Sequence, residues 1–203
     1  MSIRVIPLGI DPMRLQTVTR DPRSFVEDLE EDEPAWFARA DRSYFSSEEG
    51  YSARMACALM TGERHGEHPR FEGSFLRLVS QHVGQRLESG SWRDQDDELL
   101  LLLSRWLQLV DAPERLAMET LVHGQSFIAG LVAAGGWFEP EEVDEVDCFF
   151  LELDEEMRQE ALEELDLWDP SLLRKACNEL EGWFSECSSR GWGLMLFASY
   201  GDE

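Results

Sequence analysis

The chain has 203 residues, 43% of them hydrophobic, and its 42 Asp and Glu outnumber 18 Lys and Arg, which gives a formal net charge of −24. This length and composition favour a single folded domain over residues 1–203 and argue against a disordered chain. The pI near 4.4 argues against nucleic acid and anionic membranes as targets, because phosphate binding requires clustered Lys and Arg.

The N-terminal residues predict a strand followed by short helices. Residues 2–10 contain Ile3, Val5 and Ile6 and are typical of a strand that ends near Pro7. Asp caps the free N–H groups of a helix and Pro suits its first turn. Helix starts are therefore predicted at three dipeptides: Asp11-Pro12, Asp21-Pro22 and Asp169-Pro170.

The middle of the chain predicts further helices joined by loops. Residues 32–50 are interpreted as a loop with a short helical piece around Trp36 and Phe37. Apolar residues spaced by three and four, together with acidic, Pro and Gly boundaries, predict four helices: 48–60, 71–87, 96–110 and 113–123. Residues 127–132 are ambiguous, and Gly135-Gly136 is predicted to form a turn.

Residues 139–169 contain fifteen Asp and Glu and one base, Arg158. Large apolar residues alternate with these acids, so the segment is predicted to fold with one face inward. Pro140 opens a first helix toward Phe150, and Asp154 caps a second one that runs to about Leu165. A surface of this kind repels anions and suits a basic protein partner.

The strongest helix signal follows, from Pro170 to Arg190, where Leu173, Leu180 and Phe184 belong to one apolar stripe. Gly191 is a natural end for it, and residues 194–200 predict a terminal strand. The predicted fold class is α+β and mostly helical. A small sheet pairs the N- and C-terminal strands and is covered by several amphipathic helices.

Four stretches carry a resemblance to known proteins: GSFLRLVSQHVGQRLESGSW, LSRWLQLVD, EVDEVDCFFLELD and ACNELEGWFSECSSRGWGLMLFASYG. Together they resemble an uncharacterised bacterial family, and the closing helix and strand are similar to the YfbM-like proteins. The resemblance implies a single α+β domain and no reaction. The chain departs from it in the acid load of residues 139–169 and in residues 32–50.

Other features indicate where the protein resides. No apolar run approaches the ~20 residues that span a bilayer, and residues 1–10 lack the apolar region of a secretory signal. The four Cys, at positions 57, 148, 177 and 187, form no C-x-x-C pair. We therefore expect a reduced, cytoplasmic protein without membrane association.

Candidate chemistry is sparse, and no cofactor or metal is expected. His65 and His68, near Glu63 and Glu67, form an isolated His-x-x-His in a polar loop, which indicates a solvated loop more than a metal site. Calcium around residues 144–154 would lack the usual loop motif. An enzyme without a recognisable motif remains an alternative, with a nucleophile and base drawn from three residues: Cys57, His82 and His123. His82 is predicted to lie in the core, and His123 at a helix end.

The aromatic residues around the acids are a better lead, because acid beside aromatic makes a strong interface for a basic partner. The predicted function is that of an inhibitor or immunity-type protein that restrains a basic or co-encoded partner, such as a toxin or secreted enzyme. A housekeeping domain whose acidity serves solubility is a second alternative. The predicted partner-binding residues are Glu142, Glu145, Asp147, Glu155, Glu156, Trp137 and Phe138, and the acidic run of residues 27–33 is expected to extend their surface.

Overall fold

A four-stranded antiparallel sheet separates two helical layers in the computed structural model, which describes residues 3–46, 48–63, 68–92, 97–117, 121 and 135–200. The strand order is β2-β1-β4-β3, with β1 Ile3–Ile10, β2 Gly84–Arg86, β3 Gly135–Phe138 and β4 Gly193–Tyr200. β1 and β4 pair along their whole length, from Ile3 opposite Tyr200 to Ile10 opposite Gly193. The predicted α+β class and the pairing of the terminal strands are confirmed.

Pro7 does not end the first strand, which continues to Ile10. The Pro7 carbonyl accepts a hydrogen bond from the Leu87 N–H at 3.1 Å. In an antiparallel strand the N–H and C=O of a residue point to the same side. The nitrogen of Pro7 therefore faces the β2 side, just beyond the end of that strand, and its missing N–H removes no bond to β4.

Side chains alternate along the strands between two hydrophobic clusters. Val5 and Leu194 belong to one cluster, while Ile6 and Met195 belong to the other. Because alternate residues of a strand point to opposite faces, the two clusters lie on opposite faces of the sheet.

The described helices are α1 Pro12–Arg20, α2 Pro22–Asp32, α3 Pro34–Tyr44, α4 Tyr51–Met60, α5 Pro69–Val83, α6 Asp97–Leu109, α7 Pro140–Glu152, α8 Glu155–Glu164 and α9 Ser171–Arg190. Buried residues of α1–α5 join the Ile6 cluster, and those of α6–α9 join the Val5 cluster.

The three Asp-Pro dipeptides lie at helix starts, as predicted. Asp11 accepts a hydrogen bond from Met13 N at 2.9 Å, and Asp21 accepts one from Ser24 N at 3.2 Å. Asp169 likewise accepts from Ser171 N at 2.9 Å, at the first residue of α9. The predicted helix over residues 170–190 is therefore confirmed, including its end at Gly191, whose φ of 64° is the left-handed conformation that favours glycine.

Other boundaries differ from the prediction. Residues 34–44 form a full helix where the sequence indicated a loop with one short helical piece. The predicted helix over 71–87 ends at Val83, after which Gly84 begins an edge strand. Gly135-Gly136 opens β3 and is not a turn. Of the predicted helix over 113–123, the described part contains a 3-10 turn at Glu114–Leu116, and the ambiguous residues 127–132 lie outside the described ranges.

Asp41 links α3 to the start of α4 by hydrogen bonds. Its carboxylate is buried and accepts hydrogen bonds from Ser52 N at 2.7 Å and from Gly50 N at 2.8 Å. Burial alone would raise the pKa of Asp41, but the hydrogen bonds from Ser52 and Gly50 outweigh it and hold the pKa below its usual value of 3.8. A polar residue on the inner face of α3 therefore has a specific structural role.

Replacing Asp41 by alanine is expected to destabilise the fold by about 1–3 kcal/mol, because the buried N–H of Ser52 and the half-buried N–H of Gly50 lose their acceptor. Because its pKa is depressed in the folded state, the ionised Asp41 stabilises the protein above pH 3.8 and loses this effect as the pH falls through the folded pKa. Urea denaturation at neutral pH checks the prediction, with the exposed Asp28 replaced by alanine as the control. Equal unfolding midpoints for the two variants would contradict it.

In the part of the chain that the structure describes, no helix is both long and apolar enough to cross a membrane.

Candidate partner-binding surface

The first acidic helix, α7, is built with an apolar inner face and a charged outer face. Pro140 occupies its first turn, and the Glu142 carboxylate reaches back to accept a hydrogen bond from Glu139 N at 2.9 Å. Such reciprocal capping fixes the start of a helix. Val143, Val146 and Phe150 are buried at spacings of three and four, so the intervening acids face outward.

The second acidic helix, α8, follows after two residues. Asp154 caps it by accepting a hydrogen bond from Met157 N at 2.8 Å. Ala161 and Leu162 are buried, and the exposed acids are Glu155, Glu156, Glu160, Glu163 and Glu164. The two predicted helices of residues 139–169 are thus confirmed, and their apolar halves belong to the core.

We define the acidic surface as the carboxylates of residues 139–169. Thirteen of its fifteen Asp and Glu side chains are exposed and two, Glu142 and Asp147, are half-buried. Among the residues that the structure describes, Glu142 is the one member that forms a salt bridge, with Arg115. The negative charge of this surface is therefore almost uncompensated by ion pairs within the described fold.

Arg158, the one base in the segment, points into the fold and not toward the surface acids. Its guanidinium donates to Leu153 O at 3.2 Å and to Phe150 O at 2.6 Å, and it pairs with Glu181 of α9. Both partners of this pair are about 20% exposed. Burial raises the pKa of Glu181, and the Arg158 charge opposes that rise. Arg158 therefore caps the last carbonyls of α7 and joins α7 to α8 and α9.

The predicted binding residues divide into exposed acids, half-buried acids and buried aromatic residues. Glu145, Glu155 and Glu156 are exposed, as a partner-binding role requires. Glu142 and Asp147 are half-buried, and Glu142 is engaged by Arg115.

Trp137 and Phe138 are buried, so the expectation that they contact a partner is corrected. Both lie on β3, where adjacent residues point to opposite faces of the sheet and into its two cores. The Trp137 ring occupies the space that a Cβ atom at Gly193 would fill. The Phe138 ring packs edge-on against Phe184 at 5.1 Å between centroids. These contacts fill the interior, so neither ring is available at the surface.

Two large apolar side chains in this part of the molecule are at least three-quarters exposed. Leu151, near the end of α7, is 75% exposed, and Trp168, between α8 and α9, is 103% exposed. Neither Leu151 nor Trp168 belongs to the predicted partner-binding residues. The signal for Leu151 is its position seven residues after the exposed Asp144, since this helical spacing places both side chains on the outer stripe of α7.

The second acidic run, residues 27–33, does not extend the acidic surface. It lies on α2 and the start of α3, and the buried α2 residues Val26 and Leu29 belong to the Ile6 cluster. α7 and α8 belong to the Val5 cluster, on the other face of the sheet. The sheet separates the two runs, so they present negative charge on opposite sides of the molecule.

The residues considered for catalysis do not assemble into an active site in the described part of the chain. Cys57 lines a surface groove of about 320 Å³ between α2 and α4. Burial raises the pKa of its thiol, and the nearby Glu27 raises it further, which disfavours the nucleophilic thiolate. His82 does not line this groove. It is exposed near the end of α5, edge-on to Phe25 at 5.7 Å, so its predicted place in the core is wrong.

The remaining candidates offer no further chemistry within the described ranges. Cys177 and Cys187 are buried on α9, and burial raises the pKa of the Cys187 thiol to about 12. His68 lies at the start of α5, whereas His65, Glu67 and His123 lie outside the described residues. Among residues that the structure describes, no group of three or more His, Cys, Asp or Glu side chains is arranged to hold a metal ion.

No protein-family model, curated protein or solved structure matches this chain. The resemblance to YfbM-like proteins therefore stays an interpretation of the sequence.

Proposed function

We propose that the protein is a cytoplasmic interaction module that binds and restrains a basic protein partner through its acidic surface, as an inhibitor or immunity-type protein acts on a co-encoded toxin or secreted enzyme. The observation that carries this proposal is the concentration of thirteen exposed carboxylates on two consecutive helices and their flanking residues. A field of one sign steers an oppositely charged protein toward the surface and accelerates association.

The enzyme alternative has less support. A thiol whose pKa is raised by burial and by Glu27 is a poor nucleophile at neutral pH. The groove that contains Cys57 is lined by Arg23 and Arg54 as well as by acids, and no histidine is among its described lining residues. The solubility alternative makes a different prediction from ours, because charge that serves only solubility has no preferred position on the molecule.

Neutralising Glu145, Glu155 and Glu156 to glutamine is expected to weaken binding of an oligolysine probe about tenfold at low salt. The estimate assumes about 0.5 kcal/mol for each exposed charge. The matched control neutralises Glu27, Asp28 and Glu31, which are also exposed but lie on the other face of the sheet. Both variants change the net charge by the same amount. A difference in their affinities for oligolysine, measured by isothermal titration calorimetry, therefore reports the position of the neutralised charges and not the total charge.

The control variant is expected to retain nearly the affinity of the unaltered protein. Equal losses in the two triple variants would reject the acidic surface as the binding site and favour the solubility reading. A second measurement co-expresses the chain with the product of the neighbouring gene. We expect co-purification at low salt and release at about 1 M salt, where the screening length is about 3 Å. A neighbouring product that is acidic, or that fails to bind at low salt, would contradict the inhibitor role.

A further inference from the structure

We propose that Trp168 is the anchor of the acidic surface, and that it inserts into an apolar pocket rimmed by Lys and Arg on the partner protein. This inference rests on the proposed function and specifies how the partner is held. Trp168 is 103% exposed, although most large apolar side chains of the described chain are buried. Tryptophan is also among the residues most enriched at the energetic centres of protein interfaces.

The segment that carries Trp168 is held in place on both sides. Leu165 and Leu167 pack against the core cluster that contains Val5. Asp166 adopts a left-handed φ of 48°, which aspartate tolerates, and its N–H donates to Glu163 O at 3.0 Å. Asp169 accepts a hydrogen bond from Ser171 N at 2.9 Å. With both neighbouring leucines turned inward, the indole is presented outward on a fixed backbone.

A fixed anchor binds at lower entropic cost than a mobile one, because less conformational freedom is lost on association. The arrangement of Trp168 therefore differs from that of an apolar residue at the tip of a free loop. Its neighbours in the chain leave the indole as the one apolar group projecting from this turn.

The charges around Trp168 define the chemistry of its occupant. Glu163, Glu164, Asp166 and Asp169 are all exposed within five residues of the indole. A second copy of this chain, at a net charge of −24, would bring like charges together at this position, which opposes self-association. A pocket with an apolar floor and a basic rim complements both the indole and the carboxylates. A partner protein with such a pocket is therefore the occupant that this surface fits.

The test uses two peptide probes of equal positive charge: oligolysine, and an amphipathic helical peptide of Lys and Leu. Binding is measured by fluorescence anisotropy at low salt for the unaltered protein, Trp168→Ala and Met13→Ala. Met13 is the matched control because it is an exposed apolar residue at 77% exposure. It lies on α1, whose buried Val18 belongs to the cluster on the other face of the sheet.

We expect Trp168→Ala to bind the Lys/Leu peptide at least about 30-fold more weakly, which corresponds to about 2 kcal/mol. Its affinity for oligolysine should stay within about twofold of the unaltered protein, because no charge is changed. Met13→Ala should bind both peptides normally. The difference between the emission spectra of the unaltered protein and Trp168→Ala gives the fluorescence of Trp168. This emission should shift to shorter wavelength when the Lys/Leu peptide binds and should not shift with oligolysine.

Three outcomes overturn the proposal, and they are distinguishable. Unchanged binding of the Lys/Leu peptide by Trp168→Ala rejects the anchor while the acidic binding surface stands. Failure of both peptides to bind the unaltered protein rejects the proposed function, and the anchor with it. A dimer of the unaltered protein that becomes monomeric in Trp168→Ala, seen by sedimentation, assigns the indole to a second copy. Because Trp168 is fully exposed, thermal unfolding of the variant should match that of the unaltered protein.

Discussion

Replacing Phe184 by alanine is expected to lower the free energy of unfolding by about 3–5 kcal/mol. Phe184 lies on α9 and is completely buried. Its ring packs edge-on against Phe138 of β3 at 5.1 Å between centroids and lies tilted against Phe150 of α7 at 6.0 Å. The substitution therefore opens a cavity where α9, the edge strand β3 and the first acidic helix meet, and those three elements cannot all collapse into it.

The measurement is urea denaturation followed by circular dichroism, with Leu172→Ala as the control. Leu172 belongs to the same helix but is 44% exposed, so its truncation should change stability by less than about 1 kcal/mol. A Phe184→Ala variant that unfolds at the same urea concentration as Leu172→Ala would show that α9 is not packed against α7 and β3 as described.

Local signals were sufficient to predict much of the helical layer that carries the acidic surface. Asp154 before α8, Pro140 in α7 and Gly191 after α9 each act through groups within a few residues, so the sequence alone shows their effect. The periodic burial of Val143, Val146 and Phe150 is of the same kind. These features fix which residues of the segment face solvent, and hence most of the acidic surface.

Non-local contacts explain the predictions that failed. Trp137 is buried because β3 pairs with β4 and sets its ring over Gly193, which is 56 positions further along the chain. Asp41 places a charge on the inner face of α3, which interrupts the apolar periodicity of this helix in the sequence. The charge is present there because the N–H groups of Ser52 and Gly50 donate hydrogen bonds to the Asp41 carboxylate. Neither the contact of Trp137 with Gly193 nor the hydrogen bonds of Asp41 can be predicted from a short-range sequence pattern.

Non-local contacts also determine the extent of the candidate site. The acidic runs of residues 27–33 and 139–169 look alike in sequence, but the sheet between them is assembled from strands at both ends of the chain. Only the assembled sheet separates the two runs. The fold therefore narrows the proposed interface to α7, α8 and the residues that flank them, and it replaces Trp137 and Phe138 by Trp168 as the aromatic residue available to a partner.

Replacing Arg158 by alanine is expected to destabilise the protein by about 2–4 kcal/mol at neutral pH, because a half-buried carboxylate and two backbone carbonyls lose their donor. The carboxylate is that of Glu181, and the carbonyls are those of Phe150 and Leu153 at the end of α7. Arg158 is a polar link between the acidic helices and α9, so the variant tests whether the acidic surface depends on this link. Chemical denaturation measures the loss, and Arg39→Ala, at an exposed arginine of α3, is the control.

The pH dependence of this loss separates the ion pair from the other contacts of Arg158. Burial raises the folded-state pKa of Glu181 and Arg158 lowers it, so the pKa should rise further in Arg158→Ala. A carboxyl group with a raised folded-state pKa destabilises the fold when ionised. This penalty is absent below its ordinary pKa of 4.5 and grows as the pH rises through the folded-state value. The stability deficit of Arg158→Ala should therefore be larger at pH 7 than near pH 4.

Adding Glu181→Gln to Arg158→Ala should remove this difference between the two pH values and recover part of the stability at pH 7, because no unpaired charge remains. A deficit that is the same at both pH values would assign the role of Arg158 to the carbonyls of α7 alone.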